Sequence, residues 1–444
     1  MAETKSDEPE VLSLEELKEA WSWLVPHERL AGFRLLDRAD AEELFLSLSA
    51  HDQGDLILAL PVRDRMSWMR ILAPDDAADL LQAAASEERA QLLDLLDAPT
   101  RKEVTALLAY AEDDAGGLMS PRFARVRPDM TVDEAISYLR KQAREHVETI
   151  YYAYVLDAEQ HLLGVVSFRE LFSASADRLV RDVMRTEVVT VNEGMDQEAV
   201  SRIVFEHGLV AIPVVDAEHR MKGIVTVDDI VDVVEEEATE DIQKIGGMEA
   251  LDAPYLQIGL GSMIKKRAVW LAALFLSEML TTTAMTHFAD EIAHAVVLAL
   301  FLPLIISSGG NSGSQASTLV IRAMALGEVK LTDVLRVIRR EIASGFALGV
   351  ILGCIGVLRI LLWQTIGWYN YGPHVMVIAL TIGVSLIGVV MFGSIAGSML
   401  PFVLRRLGLD PASASAPFVA TLVDVTGLII YFSVASLILR GTLL

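Results

Sequence analysis

Residues 417–439 read PFVATLVDVTGLIIYFSVASLIL, an apolar run interrupted by one charge, Asp424. A helix needs about 20 apolar residues to cross a bilayer, so this stretch makes the chain a membrane protein. A carboxylate held in lipid is costly, and ionisable groups inside spans face water, a counter-charge or a substrate path. Asp424 therefore marks an ion pathway. The competing reading is a carboxylate that is protonated, or paired with a buried arginine to lock helices together. Pro417, Thr421, Asp424 and Gly427 recur at spacings of three and four, which places them on one helical face.

Working outward, four more apolar runs follow Arg267, and with the last they give spans at roughly 268–288, 293–326, 341–368, 374–403 and 415–439. Lys265, Lys266 and Arg267 precede the first. Lys330, Arg336, Arg339 and Arg340 fall between the second and third, and Arg405 and Arg406 follow the fourth. Basic residues collect on the cytoplasmic side, so the N-terminal half is expected in the cytoplasm and the C-terminus outside. The second span contains PLIISSGGNSGSQAST (303–318), which reads as a helix-breaking cluster at membrane depth. Irregular backbone survives there only when it is buried in protein or lines a water-filled cavity. Small residues serve equally for close helix packing. Gly310, Asn311, Gln315 and Thr421 join Asp424 as candidate pathway residues, Asn311 and Gln315 offering amide groups to a hydrated ion. Glu278 and Arg359 also fall within spans and stay outside the candidate site, Arg359 being close enough to the outer end to extend its guanidinium to the interface.

Charge divides the chain in two. Residues 1–264 hold 25 Lys+Arg against 53 Asp+Glu, a net of −28, whereas residues 265–444 hold 12 against 8, a net of +4. An acidic soluble half excludes nucleic acid as a partner, since phosphates need basic patches, and is compatible with cation binding or with a solubilising surface. The one cysteine, Cys354, lies in a span, so no disulfide framework exists within the chain. The opening residues MAETKSDEPE lack the basic and apolar regions of a secretory signal.

The soluble half contains two internal repeats. In the first, residues 55–72 and 79–96 align at an offset of 24, matching Asp55 with Asp79, Leu60 with Ala84 and Arg65 with Arg89, which implies an α-helical repeat array. Met66, Trp68 and Met69 read as its core. Asp75, Asp76 and Asp79 in PDDAAD suit a helix N-terminus, or a divalent-cation site. In the second, residues 117–139 parallel 182–203 and residues 154–171 parallel 213–230, pairing Asp157 with Asp216 and Gly164 with Gly223. Each copy reads strand, helix, strand, strand, helix, and the whole resembles a tandem CBS pair. Such pairs bind adenine nucleotides or metal. Gly223, Thr226 and Asp229 match the nucleotide version, in which the acid meets the ribose, and this implies ATP as a ligand. Gly164, Ser167 and Glu170 match it less well, and a structural turn with a capped helix explains both sets.

The stretch VTVDDIVDVVEEEATEDIQKIGG (225–247) is the richest acidic run, with Asp228, Asp229, Asp232, Glu235, Glu236, Glu237, Glu240 and Asp241. Like charges on one helix repel. A divalent cation would relieve the repulsion, and a solvated linker helix would tolerate it.

The order of acidic helical repeats, AGGLMS before two CBS copies, EEEATEDI, five spans, GGNSGSQ and VATLVDVTGLIIYF resembles the MgtE family of magnesium channels over nearly the whole chain. The resemblance implies a multidomain fold: an acidic helical repeat domain (1–116), tandem α/β CBS domains (117–238), a connecting plug helix (239–264) and an all-α pore domain of five transmembrane helices (265–444). It implies a homodimer in the cell's inner membrane with Asp424 of each chain at the pore. Regulatory Mg2+ would bridge the cytosolic domains and hold the plug closed, with Asp229, Asp232, Glu237, Glu240 and Asp241 at positions of the family's sensing acids. Gly208 stands where some relatives have an acid, so one sensing site differs here.

The function expected is passive, membrane-potential-driven Mg2+ uptake, closed by cytosolic Mg2+. Alternatives from other classes are a carrier coupled to Na+ or H+, with Asp424 as a protonatable relay, and a CBS-containing membrane sensor. No nucleophile triad, Walker loop or zinc-ligand spacing occurs in the sequence, so no enzyme is expected.

Overall fold

The computed structural model describes residues 13–143, 151–251, 255–256 and 258–440, so the opening MAETKSDEPE lies outside the described residues. The chain forms two compact units, Met1–Glu236 and Glu237–Leu444.

The first unit begins with eight short helices, Leu14–Ala20, Pro26–Leu35, Arg38–Ser47, Ala50–Ala59, Val62–Met69, Pro74–Ala83, Ser86–Leu93 and Ala98–Leu107. Asp37, Ser49 and Asp97 cap three of them through their side chains, while Pro26 and Pro74 occupy first positions that need no amide donor. The 24-residue repeat has a chemical cause. Arg65 donates to the carbonyls of Leu60 (2.9 Å) and Leu58 (2.5 Å), and Arg89 donates to those of Ala84 (3.0 Å) and Gln82 (2.6 Å). In each copy a guanidinium fork closes the free carbonyls at the end of the preceding helix. Ala50–Ala59 packs against Pro26–Leu35 and Pro74–Ala83, which packs on Ala98–Leu107. Trp68 and Met69 are core, with the Trp68 ring 4.9 Å from Phe33 and 5.3 Å from Phe45. Met66 is a correction: it is 41% exposed.

The CBS copies follow as two three-stranded sheets, Arg125–Val126, Tyr152–Leu156 and Leu162–Ser167, then Val191–Asn192, Ala211–Val215 and Met221–Thr226. Each has a parallel first pair and an antiparallel second pair, with a register shift at Val155/Leu156 in one and Val214/Val215 in the other. A Cβ on Gly164 would lie 2.6 Å from the Arg185 carbonyl oxygen, and one on Gly223 would lie 2.6 Å from that of Ser120. Both glycines are therefore places of backbone contact. Gly208 ends the helix Gln197–His207 at φ +61°, a left-handed position that glycine takes without strain.

The second unit opens on the last turns of the helix Val227–Ile245. The connecting helix expected over 239–264 is shorter than that range: it stops at Ile245, where Gly246 and Gly247 (φ +74°) turn the chain, and the next helix begins at Leu260. Five helices are long and apolar enough to cross a membrane, Leu260–His287, Val296–Ala325, Leu331–Ile366, Val375–Arg406 and Ala416–Leu439. The basic residues read as flanks sit on the helices. Lys265, Lys266 and Arg267 are within the first, Arg336, Arg339 and Arg340 in the opening turns of the third, and Arg405 and Arg406 in the closing turn of the fourth. At 1.5 Å per residue, helices of 32 or 33 residues exceed a hydrocarbon core of about 30 Å, so their charged ends project beyond it.

The second span also differs from its reading. The helix Leu302–Ala325 runs unbroken through 303–318, and the irregular backbone lies earlier, at Ala295, Leu300 and Phe301. The glycines act in packing. A Cβ on Gly309 would stand 2.5 Å from Val389, one on Gly313 2.7 Å from Val419, and Cβ atoms on Gly393 and Gly397 would overlap the carbonyl oxygens of Gly309 and Gly313. The second and fourth spans thus cross backbone to backbone through paired small residues four apart, with Ser312 and Ser394 sharing a buried hydrogen bond of 2.7 Å. Gly349 and Gly353 of the third span meet Ile387 and Gly383 of the fourth in the same way. The first span buries no residue, and among the described residues the span it packs on most is the fifth.

Gly397→Ala should weaken the fold by about 1–3 kcal/mol through overpacking, seen as a lower melting temperature and loss of a monodisperse peak in detergent. Gly261→Ala, where a Cβ meets nothing within 4 Å, is the control. Equal behaviour of the two variants would contradict this account of the crossing.

Candidate functional site

The pathway residues divide between the second and fifth spans, which pack together. A Cβ on Gly310 would lie 4.0 Å from an Asp424 carboxylate oxygen, so the absence of a side chain at Gly310 leaves room beside that carboxylate. Asp424 is half-buried. Thr421 is buried and its hydroxyl donates to the Pro417 carbonyl at 3.0 Å, which leaves it facing its own helix. Asn311 and Gln315 are exposed, with the Asn311 amide 3.4 Å from the Ser307 hydroxyl. Ser307, Asn311, Gln315 and Thr318 form one polar stripe along the second span that this chain leaves uncovered. Hydrocarbon is a poor neighbour for such a stripe.

Glu278, outside the sequence-based site, lies on the first span, which packs on the fifth span that carries Asp424. Spacing along the sequence carries no signal for this pairing, because the two acids are 146 positions apart. Arg359 lies elsewhere, 4.1 Å over the Trp363 ring and 5.9 Å from that of Phe301.

The cytosolic acids gather around a different pair of helices. Pro74–Ala83 brings Asp76 and Asp79 to Asp228, Asp229 and Asp232 at the start of Val227–Ile245, and Glu112 and Glu236 also act on Asp79. Burial, then the like charges of Asp76, Asp229, Glu112 and Glu236, push the Asp79 carboxyl up to about 8. Burial pushes Asp229 up to about 7, although its carboxylate accepts from the Thr226 amide (3.0 Å) and hydroxyl (2.7 Å). Asp76 and Asp232 are raised as well, again by burial first. Among the described residues no Lys or Arg pairs with Asp76, Asp79, Asp228, Asp229 or Asp232. Asp76, Asp228 and Asp232 are open to solvent while Asp79 and Asp229 are half-buried. Asp75 is 5% exposed and sits in the first turn of its helix. Glu112 is the member of this cluster that the sequence reading missed.

Thr226 and Asp229 form the N-terminal cap of their helix, and Ser167 with Glu170 forms the same cap in the first CBS copy. The capped-helix reading therefore describes both without a nucleotide. Asp157, Glu159 and His161 place three ligand atoms within 4.8 Å of one another. Asp157 there accepts from the Glu159 and His161 amides, as Asp216 does from Glu218 and Arg220 in the second copy, so the group is a repeated hairpin turn.

Glu237, Glu240 and Asp241 continue along the helix into the second unit. Glu240 pairs with Lys244, whose ammonium also meets Asp410 at 2.7 Å. Ile245 packs on Ile321, Ala412 and Ala414, and a Cβ on Gly247 would come within 3.1 Å of both Trp270 and Pro417. The end of the connecting helix is thereby tied to the inner ends of the spans that carry Asn311 and Asp424.

Comparison with known proteins places all three regions. Residues 302–434 match the family described as MgtE, divalent cation transporter; residues 12–113 match the MgtE intracellular N domain; residues 115–177 and 180–236 match the CBS domain. The magnesium transporter MgtE of Thermus thermophilus is 43% identical over 348 residues, 78% of this chain and 75% of its own length. That of Enterococcus faecalis is 33% identical over 338 residues, 76% and 72% of the two chains. A crystal structure of the cytosolic domain of the Mg2+ channel MgtE in complex with ATP is 41% identical, covering 50% of this chain and 90% of that one with a TM-score of 0.47.

The raised carboxyls carry a pH dependence of stability. A carboxyl whose native pKa exceeds its unfolded value holds its proton longer in the folded protein, so its contribution is complete below about pH 4 and is lost as pH rises through the native values. For Asp229 and Asp79 those values are about 7 and about 8. Without divalent cations the melting temperature of the full-length protein should fall between about pH 4 and about pH 8, and added MgCl2 should remove most of the fall. A flat profile in a chelator would refute the crowding of these acids.

Proposed function

The chain belongs to the MgtE family of divalent cation transporters, and from that premise we propose that it is a Mg2+-selective channel for passive uptake, closed by Mg2+ on its cytosolic side. The observation that carries the pore reading is the uncovered polar stripe of Ser307, Asn311 and Gln315 on the second span, next to the Asp424 carboxylate. A second copy of the chain facing this stripe would enclose a water-filled path, with Asp424 of each copy at its narrow part. The family relation supports a membrane protein with a cytosolic N-terminal region, and the proposed orientation puts the C-terminus outside.

Mg2+ gives up its waters reluctantly and needs octahedral oxygen ligation. Two carboxylates acting through the hydration shell, with Asn311 and Gln315 amides beside them, hold the ion without stripping it. Glu278 adds negative potential near the same point. An inside-negative voltage then drives entry by about 2.3 kcal/mol per charge per 100 mV, with no enzymatic step.

Closure is a linkage effect. Mg2+ bound among Asp75, Asp76, Asp79, Asp229 and Asp232, and along Glu237, Glu240 and Asp241, relieves like-charge repulsion and favours the compact arrangement in which the connecting helix plugs the pore. The ties from Lys244 to Asp410 and from Ile245 to Ile321 support such a plug. ATP at the CBS pair, near Thr226 and Asp229, is a further regulatory ligand in this proposal, in line with the ATP complex of the relative.

Asp424→Ala should abolish Mg2+ uptake in cells lacking other importers while the protein still assembles in the membrane. Normal uptake by an assembled variant would exclude the pore role. Asp229→Asn, Asp232→Asn and Glu240→Gln combined should shift closure to higher internal Mg2+ in excised patches. An unchanged titration would remove these acids from sensing. A dependence of flux on an imposed Na+ or H+ gradient would instead favour a coupled carrier.

A further inference from the structure

Beside the end of the connecting helix, within the second unit, lies a cavity of about 650 Å³. One wall is apolar, formed by Met248, Leu251, Met263 and Leu271, and the other carries Thr239, Gln243 and Arg267. Its polar side chains, Thr239, Gln243, Tyr255 and Arg267, can each donate a hydrogen bond, and none is acidic. The Gln243 side-chain oxygen already accepts from the Leu251 amide at 2.7 Å, which leaves its NH2 group for a ligand. Arg267 is exposed and has no acidic partner among the described residues, in contrast to Lys244 and to Lys266, whose ammonium donates to the Ala250 carbonyl.

The depth of the site is set by the helix that carries it. Arg267 lies seven residues into the first span, about 10 Å along its axis. Leu271 is one turn deeper, in the apolar segment. Trp270 is beside them, and indoles concentrate at the headgroup level of a bilayer. A free guanidinium at that level, above an apolar wall that runs into the hydrocarbon, is complementary to a lipid phosphate with its acyl chain below. The cavity volume falls in the range of about 300–1,000 Å³ usual for small-ligand sites.

We propose that this cavity binds one anionic phospholipid of the cytoplasmic leaflet, its phosphate held by Arg267 with help from Gln243 and Thr239, and an acyl chain lying along Met263 and Leu271. The lipid bridges the connecting helix and the first span, so it strengthens the contact between the cytosolic connection and the membrane region. The site depends on the membrane orientation of the first span and not on which ion is transported.

The test is native mass spectrometry of the full-length protein in detergent, titrated with dioleoylphosphatidylglycerol or dioleoylphosphatidylcholine. Wild type should retain one phosphatidylglycerol per chain at about tenfold lower lipid concentration than phosphatidylcholine, the ratio expected of one charge-assisted contact. Arg267→Gln should erase that preference and Arg267→Lys should keep part of it. Equal retention of the two lipids by wild type, or an unchanged preference in Arg267→Gln, overturns the proposal. Displacement of the bound lipid by excess inorganic phosphate also overturns it, in favour of a free-anion site. Should Arg267→Gln fail to assemble, the wild-type comparison decides alone.

Discussion

The membrane region depends on one contact, the crossing of the second and fourth spans at Gly309, Gly313, Gly393 and Gly397. In lipid the hydrophobic effect does not draw helices together, so affinity comes from close van der Waals approach and from hydrogen bonds that lipid cannot supply. Glycine lowers helix stability in water by about 1 kcal/mol per residue relative to alanine. Here four glycines remove the atoms that would hold the backbones apart, and the Ser312–Ser394 bond closes the contact. Because one face of the second span is spent on this crossing, its polar face is turned away from the fourth span. Gly310 extends the same logic to the fifth span, where the missing side chain leaves the Asp424 carboxylate accessible.

The cytosolic region is organised by an opposing force. Its helices are built with ordinary caps, arginine closures and an apolar core, and that framework carries Asp76 and Asp79 into the company of Asp228, Asp229 and Asp232. Burial first, and then the neighbouring like charges, raise Asp79 to about 8 and Asp229 to about 7. A cation among these carboxylates would offset their mutual repulsion. The bonds from Thr226 to Asp229 hold that carboxylate in place while burial and its neighbours oppose its ionisation.

Between the two regions the sequence changes character at Gly246 and Gly247. The helix ends there, where Gly247 adopts a left-handed φ, and the residues just before it meet the membrane region: Lys244 pairs with Asp410 in the turn between the fourth and fifth spans, Ile245 packs by Ile321, and Gln243 lines a cavity with Arg267. Movement of the connecting helix must break or carry these contacts, and they reach the bases of the two spans that bear the polar stripe and Asp424.

The order of regions, both internal repeats, the number of spans and the charge division were legible in the sequence, because each is a local property: an apolar run of bilayer length, a period of 24 residues, a glycine and a capping pair recurring in two copies. Asp424 was conspicuous because it is the one charge in its run. Local reading misjudged 303–318, since the same glycines that interrupt an isolated helix complete a packed one, and only the neighbouring spans distinguish the two. It also passed over Glu278 and Glu112, whose significance rests on helices remote in the chain. Tertiary structure alone decided which face of the second span stays uncovered, which acids crowd together and where the connecting helix attaches. Those outcomes follow from side-chain volumes meeting across long sequence separations, and no window along the chain contains both partners.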